Sequence, residues 1–172
     1  VAYLRGDNSN ERPTGSFREL FCIEGRLGDI VHSAPTFTGI PSRLGRDRQP
    51  FPQSDLYSQF RFSNKNRDPL VYVAANDGML HGFDAETGDE VIAYLPNNLM
   101  THTYSQKVTD LLDYQYTHKY LVDSTPAVND VYMDVDGDGV KEWRTILVSG
   151  QGGGGKAYFA LDITDPFSYT HL

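Results

Sequence analysis

The sequence predicts an all-β fold, on three observations. Short runs of β-branched and aromatic residues recur between clusters of Gly, Pro, Asn and Asp. Three such runs follow one another over residues 70–95 with only tight turns between them. Two short segments of the first half also recur, in the same order, in the second half.

Residues 1–28 mix polar turns with a few apolar positions around Phe17, Leu20 and Phe21. The first strand is expected at residues 34–38, entered through His32-Ser33 and closed by Gly39 and Pro41. Residues 39–69 are rich in Pro, Arg, Ser, Asn and Asp and read as a long polar loop insertion that Phe51, Tyr57, Phe60 and Phe62 could pin down. A buried strand follows at 70–75. Asn76-Asp77-Gly78 is a hairpin signal, because these residues tolerate the positive φ of tight turns. The return strand spans 79–84, Glu86-Thr87-Gly88-Asp89 is a second turn, and a third strand at 91–95 ends at Pro96. Residues 97–113 carry the one expected helix, on the weak periodicity of Leu99, Val108, Leu111 and Leu112. Then strands resume. Residues 120–122 lead into 127–133, an acidic loop at 134–142, a strand at 145–149, a glycine run and a last strand at 157–163.

Ser33-Ala34-Pro35 and Ser124-Thr125-Pro126 each precede a strand, and Leu80-His81-Gly82-Phe83-Asp84 is echoed by Tyr158-Phe159-Ala160-Leu161-Asp162. Meanders repeated with insertions are the units of a β-propeller. The chain holds about two blades against the roughly four to eight of a closed ring, so a partial propeller is the expected fold.

Composition narrows the function classes. A net charge of -8 leaves no basic face to neutralise phosphates, which argues against nucleic-acid binding. The single cysteine, Cys22, excludes a disulfide within the chain. No stretch approaches the apolar length of a transmembrane segment. The first residues have neither an initiator Met nor the basic and apolar regions of a signal peptide, and the chain reads as cut from a longer protein.

The strongest chemical signal is the run Asp134-Val-Asp136-Gly-Asp138-Gly-Val140-Lys-Glu142. Carboxylates stand at positions 1, 3, 5 and 9 of a loop, Gly139 at position 6 where the chain turns, and Val140 at position 7 where a backbone carbonyl is the usual ligand. Calcium, a hard cation, takes six to eight oxygens, and alternate residues of a tight loop can aim theirs at one ion. The expected metal ligands are Asp134, Asp136, Asp138, Val140 and Glu142. Position 12 is Thr145 rather than Glu, and strands rather than helices flank the loop, so Glu142 is expected to close the site early. The bland alternative is an acidic hairpin that binds nothing.

The run Gly150-Gln-Gly-Gly-Gly-Gly155-Lys156 has the spacing of phosphate-binding glycine loops, but those need a helix immediately afterwards, and residues 157–163 read as a strand. It is expected to be a Gly-rich turn or a close backbone approach. Arg5-Gly6-Asp7 is the integrin-recognition tripeptide, a three-residue signal that also suits an ordinary turn with a solvated ion pair. His81 reads as a packed or hydrogen-bonded core residue, and Asp29 with His32 and Asp113 with His118 as local polar pairs.

Three segments together resemble one family: Leu27-Gly-Asp-Ile-Val-His-Ser-Ala-Pro35, the long stretch from Val71 through Asn76-Asp-Gly-Met-Leu-His-Gly-Phe-Asp-Ala-Glu-Thr-Gly88, and Lys156-Ala-Tyr-Phe-Ala-Leu-Asp-Ile-Thr-Asp-Pro166. They look like the C-terminal propeller of the PilY1/PilC type IV pilus biogenesis and adhesion proteins, over about residues 1–166. Tyr3-Leu-Arg-Gly-Asp7 and Tyr120-Leu-Val-Asp-Ser-Thr-Pro126 fit as well. Residues 167–172 do not resemble the family's continuation and read as a truncation end, with a possible foreign tail.

The resemblance implies a non-enzymatic protein at the pilus tip and cell surface, associated with the outer membrane after export through the periplasm. It would work with pilus subunits and minor pilins in assembly, and contact host or abiotic surfaces. It further implies a calcium-binding propeller whose occupancy is linked to pilus extension and retraction. Phe83-Asp-Ala-Glu-Thr-Gly88 alone also resembles the repeat of pyrroloquinoline-quinone dehydrogenases, so a quinoprotein-like propeller with redox activity is the enzymatic alternative, and a plain scaffold propeller with an idle acidic loop the third.

Overall fold

The computed structural model describes residues 2–19, 27–41, 46–101, 106–167 and the backbone of 170–171. It contains two four-stranded antiparallel sheets, each a meander in chain order. The first comprises β1 (Thr36–Thr38), β2 (Leu70–Ala74), β3 (Leu80–Asp84) and β4 (Glu90–Tyr94); the second comprises β5 (Ala127–Met133), β6 (Glu142–Gly150), β7 (Tyr158–Asp162) and β8 (Thr170–His171). These are the two blades that the sequence implies. The recurring segments take equivalent places: each Ser-x-Pro precedes the first strand of its sheet, and the two similar pentapeptides are the third strands β3 and β7. At the chain's end, β8 pairs with β7, Leu161 opposite His171 and Asp162 opposite Thr170, as a fourth strand.

The turns follow from local chemistry. Between β2 and β3, Ala75 N–H donates to Met79 O and Gly78 N–H to Ala75 O, and Gly78 carries the positive φ of +93° that closes the hairpin. Gly82, mid-strand in β3, lies under the Tyr72 ring; a Cβ there would come within 3.0 Å of Tyr72 Cε1, and the pairing with β4 shifts register next to it.

Helical structure is placed differently from expectation. Among the described residues the one α-helix, α1 (Tyr57–Ser63), lies inside the 39–69 segment expected to be loop, whereas the described part of 97–113 contains two short 3-10 turns, Asn97–Leu99 and Val108–Leu112. Leu99, Val108 and Leu111 are buried there, so the apolar positions that suggested a helix do serve the core, but from separate turns. Leu121 and Val122 are buried but pair with no strand among the described residues: Leu121 N–H donates to Asn76 Oδ1, and the N–H of the following Asp123 donates to Gln151 O. Of the aromatics in the insertion, Phe51 and Tyr57 pack on Trp143, with ring centroids 4.7 and 4.9 Å away, whereas Phe62 is exposed.

One hydrophobic core serves both blades. Leu70, Tyr72, Leu80 and Ile92 of the first sheet join Leu147, Phe159 and Leu161 of the second, with Leu99, Val108, Leu121 and Val122 of the connecting segment between them. Tyr94 meets Phe159 across the seam, with ring centroids 5.2 Å apart.

Candidate functional site

The acidic run forms the tip of the β5–β6 hairpin. Asp134 anchors it: Oδ1 accepts from Gly137 N–H (2.8 Å) and Oδ2 from Gly139 N–H (2.9 Å). Asp138 Oδ1 accepts from Val140 N–H at 2.7 Å, and Asp136 Oδ1 from Asp138 N–H at 3.3 Å. The loop can coil this tightly because Gly137 and Gly139 take φ of +80° and +87°, which a side chain would strain. The coil brings one carboxylate oxygen each from Asp134, Asp136 and Asp138 within 4.8 Å of one another. Three hard, anionic oxygens so close repel without a counter-charge and are of the type calcium takes, so they fit part of the shell of six to eight oxygens that the ion needs.

Glu142 is placed differently. It is the first residue of β6, and its carboxylate is hydrogen-bonded to the Arg144 guanidinium rather than grouped with the three aspartates. Arg144 Nη1 also lies 3.6 Å from Asp162 Oδ2. Burial works against the Arg144 charge, but Glu142, then Asp162 and Asp136, outweigh it and raise its pKa. Val140, at position 7, is exposed and enters the hairpin through its N–H bond to Asp138.

Away from the hairpin, a polar seam joins the blades. His32 Nδ1 lies 2.5 Å from Asp123 Oδ2, and His32 N–H donates to Asp123 Oδ1. Asp123 itself is buried. His118 Nε2 contacts Asp29 Oδ2 at 2.8 Å, and Asn76 Nδ2 donates to the same oxygen at 2.9 Å. Burial would raise the Asp29 pKa, but Asn76 and His118 outweigh it and hold the carboxyl below its usual range. Neither local pair that the sequence suggests forms: Asp29 meets His118 instead of His32, His32 meets Asp123, and Asp113 Oδ1 accepts from Gln115 N–H. The repeat carries the signal for one of the observed pairs: His32 and Asp123 each stand directly before a Ser-x-Pro, so equivalent positions of successive blades meet. Ala34 N–H to Thr125 Oγ1 and Thr36 Oγ1 to Pro126 O continue the seam.

The remaining candidates resolve simply. Arg5-Gly6-Asp7 is a turn: residues Tyr3–Arg5 form a 3-10 turn, Gly6 at φ +95° donates to Tyr3 O, and Asp7 Oδ1 caps Ser9 N–H, with Arg5 and Asp7 exposed. The glycine run is a turn followed by strand β7, with no helix to hold a phosphate. A Cβ on Gly154 would fall 2.1 Å from Leu121 O, so the run is a close backbone approach. His81 is buried and hydrogen-bonded, with Nε2 on Asp77 and Nδ1 on Glu90. Cys22, with Leu20 and Phe21, lies outside the described residues.

Comparison with known proteins agrees with this architecture. The family described as "PilY1 beta-propeller domain" matches residues 27–169. A type IV pilus biogenesis factor PilY1 homolog of Xylella fastidiosa is 40% identical over 166 residues, which is 96% of this chain and 13% of that protein. The type IV pilus biogenesis factor PilY1 of Pseudomonas aeruginosa strain PAK is likewise 40% identical over 166 residues, with the same coverage. The crystal structure of the Pseudomonas aeruginosa PilY1 C-terminal domain superposes with a TM-score of 0.57 and 37% identity, covering 79% of this chain and 24% of that one. The chain therefore spans a small part of the length of its relatives. Two meandering blades with paired repeat positions, matched by that family over most of their length, place the chain in the PilY1 β-propeller family.

Proposed function

We propose that this chain is the calcium-binding part of a propeller that works in type IV pilus biogenesis, at the pilus tip and cell surface, as a non-enzymatic assembly and attachment factor. The observation that carries the calcium reading is the clustering of Asp134, Asp136 and Asp138 at the hairpin tip. The relatives' description as pilus biogenesis factors supports the wider role. Pilus subunits and minor pilins are the partners it would engage, with host or abiotic surfaces as the target of attachment. Arg5 and Asp7, exposed on their turn, are candidates for a secondary surface contact.

Asp134, Asp136 and Asp138 would hold the ion, with the Val140 carbonyl and Glu142 completing its shell. A bound calcium ion would supply the positive charge that three facing carboxylates lack. Glu142 is paired with Arg144, and to join the ion it would have to leave Arg144 and turn to the loop. Exchange between these arrangements would couple occupancy to the β5–β6–β7 sheet through Arg144 and Asp162, which is a physical route by which calcium could bias pilus extension against retraction.

A calorimetric calcium titration of the folded chain tests the site. The expected result is one-site binding, with Kd between about 10⁻⁷ and 10⁻³ M, weakened at least about tenfold in Asp136→Ala. Absence of binding by a chain whose circular dichroism shows β structure would remove calcium from the proposal.

A further inference from the structure

The first blade grips the hairpin of the second. Residues 46–63 belong to the connection between β1 and β2, yet their side chains pack on β5 and β6. Phe51 and Tyr57 lie against the Trp143 ring, Trp143 Nε1–H donates to Asp55 O, and the Arg46 guanidinium sits 5.5 Å from the centre of that ring. Arg46 also donates to Asp130 O and Asn129 Oδ1, and Tyr57 OH donates to Asp130 Oδ2.

The gripped residue stands next to the acidic loop. Tyr132 opposite Trp143, and Met133 opposite Glu142, are the last two pairs of the hairpin before residues 134–141. Successive residues of a strand face opposite sides. Glu142 and Arg144 therefore point to one side of β6, where Arg144 reaches Asp162. Trp143 and Thr145 point to the other, where the first blade holds them through Phe51, Tyr57 and Arg67. A single peptide bond thus joins a candidate ion ligand, Glu142, to the residue at the centre of the insertion's contact.

On the calcium reading of Asp134, Asp136 and Asp138, we propose that ion binding at the acidic loop and docking of residues 46–63 are coupled through Trp143, so that the insertion carries the occupancy of the second blade to the first. The coupling is positive. Three facing carboxylates repel and work against closure of the hairpin tip, and a cation among them removes that repulsion. A closed tip holds the Tyr132–Trp143 pair in register, and the Trp143 ring is the surface on which Phe51 and Tyr57 sit. Occupancy strengthens docking, and by reciprocity docking strengthens occupancy.

The test is a titration of the full chain with calcium chloride, followed by calorimetry and by amide and indole proton–nitrogen spectra. Saturable shifts are expected at residues 134–142 and, with the same Kd, at Trp143 Nε1 and at the amides of Gln59 and Phe60 in α1. Phe51 is none of the candidate ligands, yet Phe51→Ala should weaken calcium binding about fivefold. Phe51→Leu keeps most of the apolar volume, and with it the fold, and should weaken binding about twofold. Shifts confined to residues 134–144, or one affinity shared by the parent and the folded variants, overturn the coupling and leave the calcium reading in place. No binding by a parent whose circular dichroism shows β structure overturns the calcium reading and the coupling with it.

Discussion

His81 places both ring nitrogens against carboxylates: Nδ1 lies 2.5 Å from Glu90 Oε1, and Nε2 3.0 Å from Asp77 Oδ2. An ionised carboxylate only accepts, so both contacts are hydrogen bonds only when the ring is an imidazolium. Burial opposes that charge, but Asp77 and then Glu90 outweigh it, and the His81 pKa is raised above its usual value near 6.5. The sign follows. The folded state holds the proton more tightly than the unfolded chain, so the contribution is fully present below about pH 6.5 and is lost as pH rises through the folded value. Urea unfolding of the parent should therefore show a midpoint that falls between pH 6.5 and pH 8.5, and His81→Gln should fall less. Parallel pH profiles for the two proteins would show that His81 is not the titrating group. In β7 the equivalent residue is Phe159, an apolar contact with Tyr94 across the seam, so one repeat position serves a charged clamp in one blade and an aromatic contact in the next.

Among the elements, the insertion ahead of β2 is tied to the second blade by α1 and its approach. Tyr57 OH donates to Asp130, Trp143 Nε1 donates to Asp55 O at 3.0 Å, and Phe51, Tyr57 and Tyr132 surround the Trp143 ring. Trp143 is the sole tryptophan, so its fluorescence reports this docking directly. Tyr57→Phe keeps the ring and removes one donor from a buried carboxylate. A loss of about 1–3 kcal/mol is expected in urea unfolding followed by Trp143 emission, and an unchanged midpoint would mean that ring packing alone holds the insertion. The strands and the metal-type loop were legible because their signals are local: β-branched runs end at turn residues, and Asp134, Asp136 and Asp138 alternate within five positions. The α-helix was not, since Tyr-Ser-Gln-Phe-Arg-Phe-Ser is short and has no apolar stripe until Trp143 and Asp130 are brought to it. The Arg67–Thr145–Asp130–Tyr57 network was equally hidden, because its partners are distant in sequence and meet only after the blades pack. Leu99, Val108 and Leu111 misled in the other direction: burial at helix-like intervals is also what two 3-10 turns against one core produce.

At the scale of the whole molecule, the blades share one core and one polar seam, so they should unfold together. Leu80, fully buried in β3, belongs to the same cluster as Leu147 and Leu161 of the second blade. His32–Asp123 and the bonds of Ala34 and Thr36 to residues 125 and 126 join the edges where β1 and β5 begin. Leu80→Ala removes apolar volume from the first blade only and should cost about 2–5 kcal/mol. Trp143 lies in the second blade, in β6, with its ring against Phe51, Tyr57 and Tyr132, whereas Leu80 pairs with Ala74 and Tyr94 in the first sheet. If the shared core makes a single cooperative unit, Trp143 emission and far-ultraviolet circular dichroism will report the same lowered midpoint in Leu80→Ala. A Trp143 transition that stays at the parent midpoint while the dichroism signal splits would show two blades that fold independently, with the seam contributing position but little cooperativity.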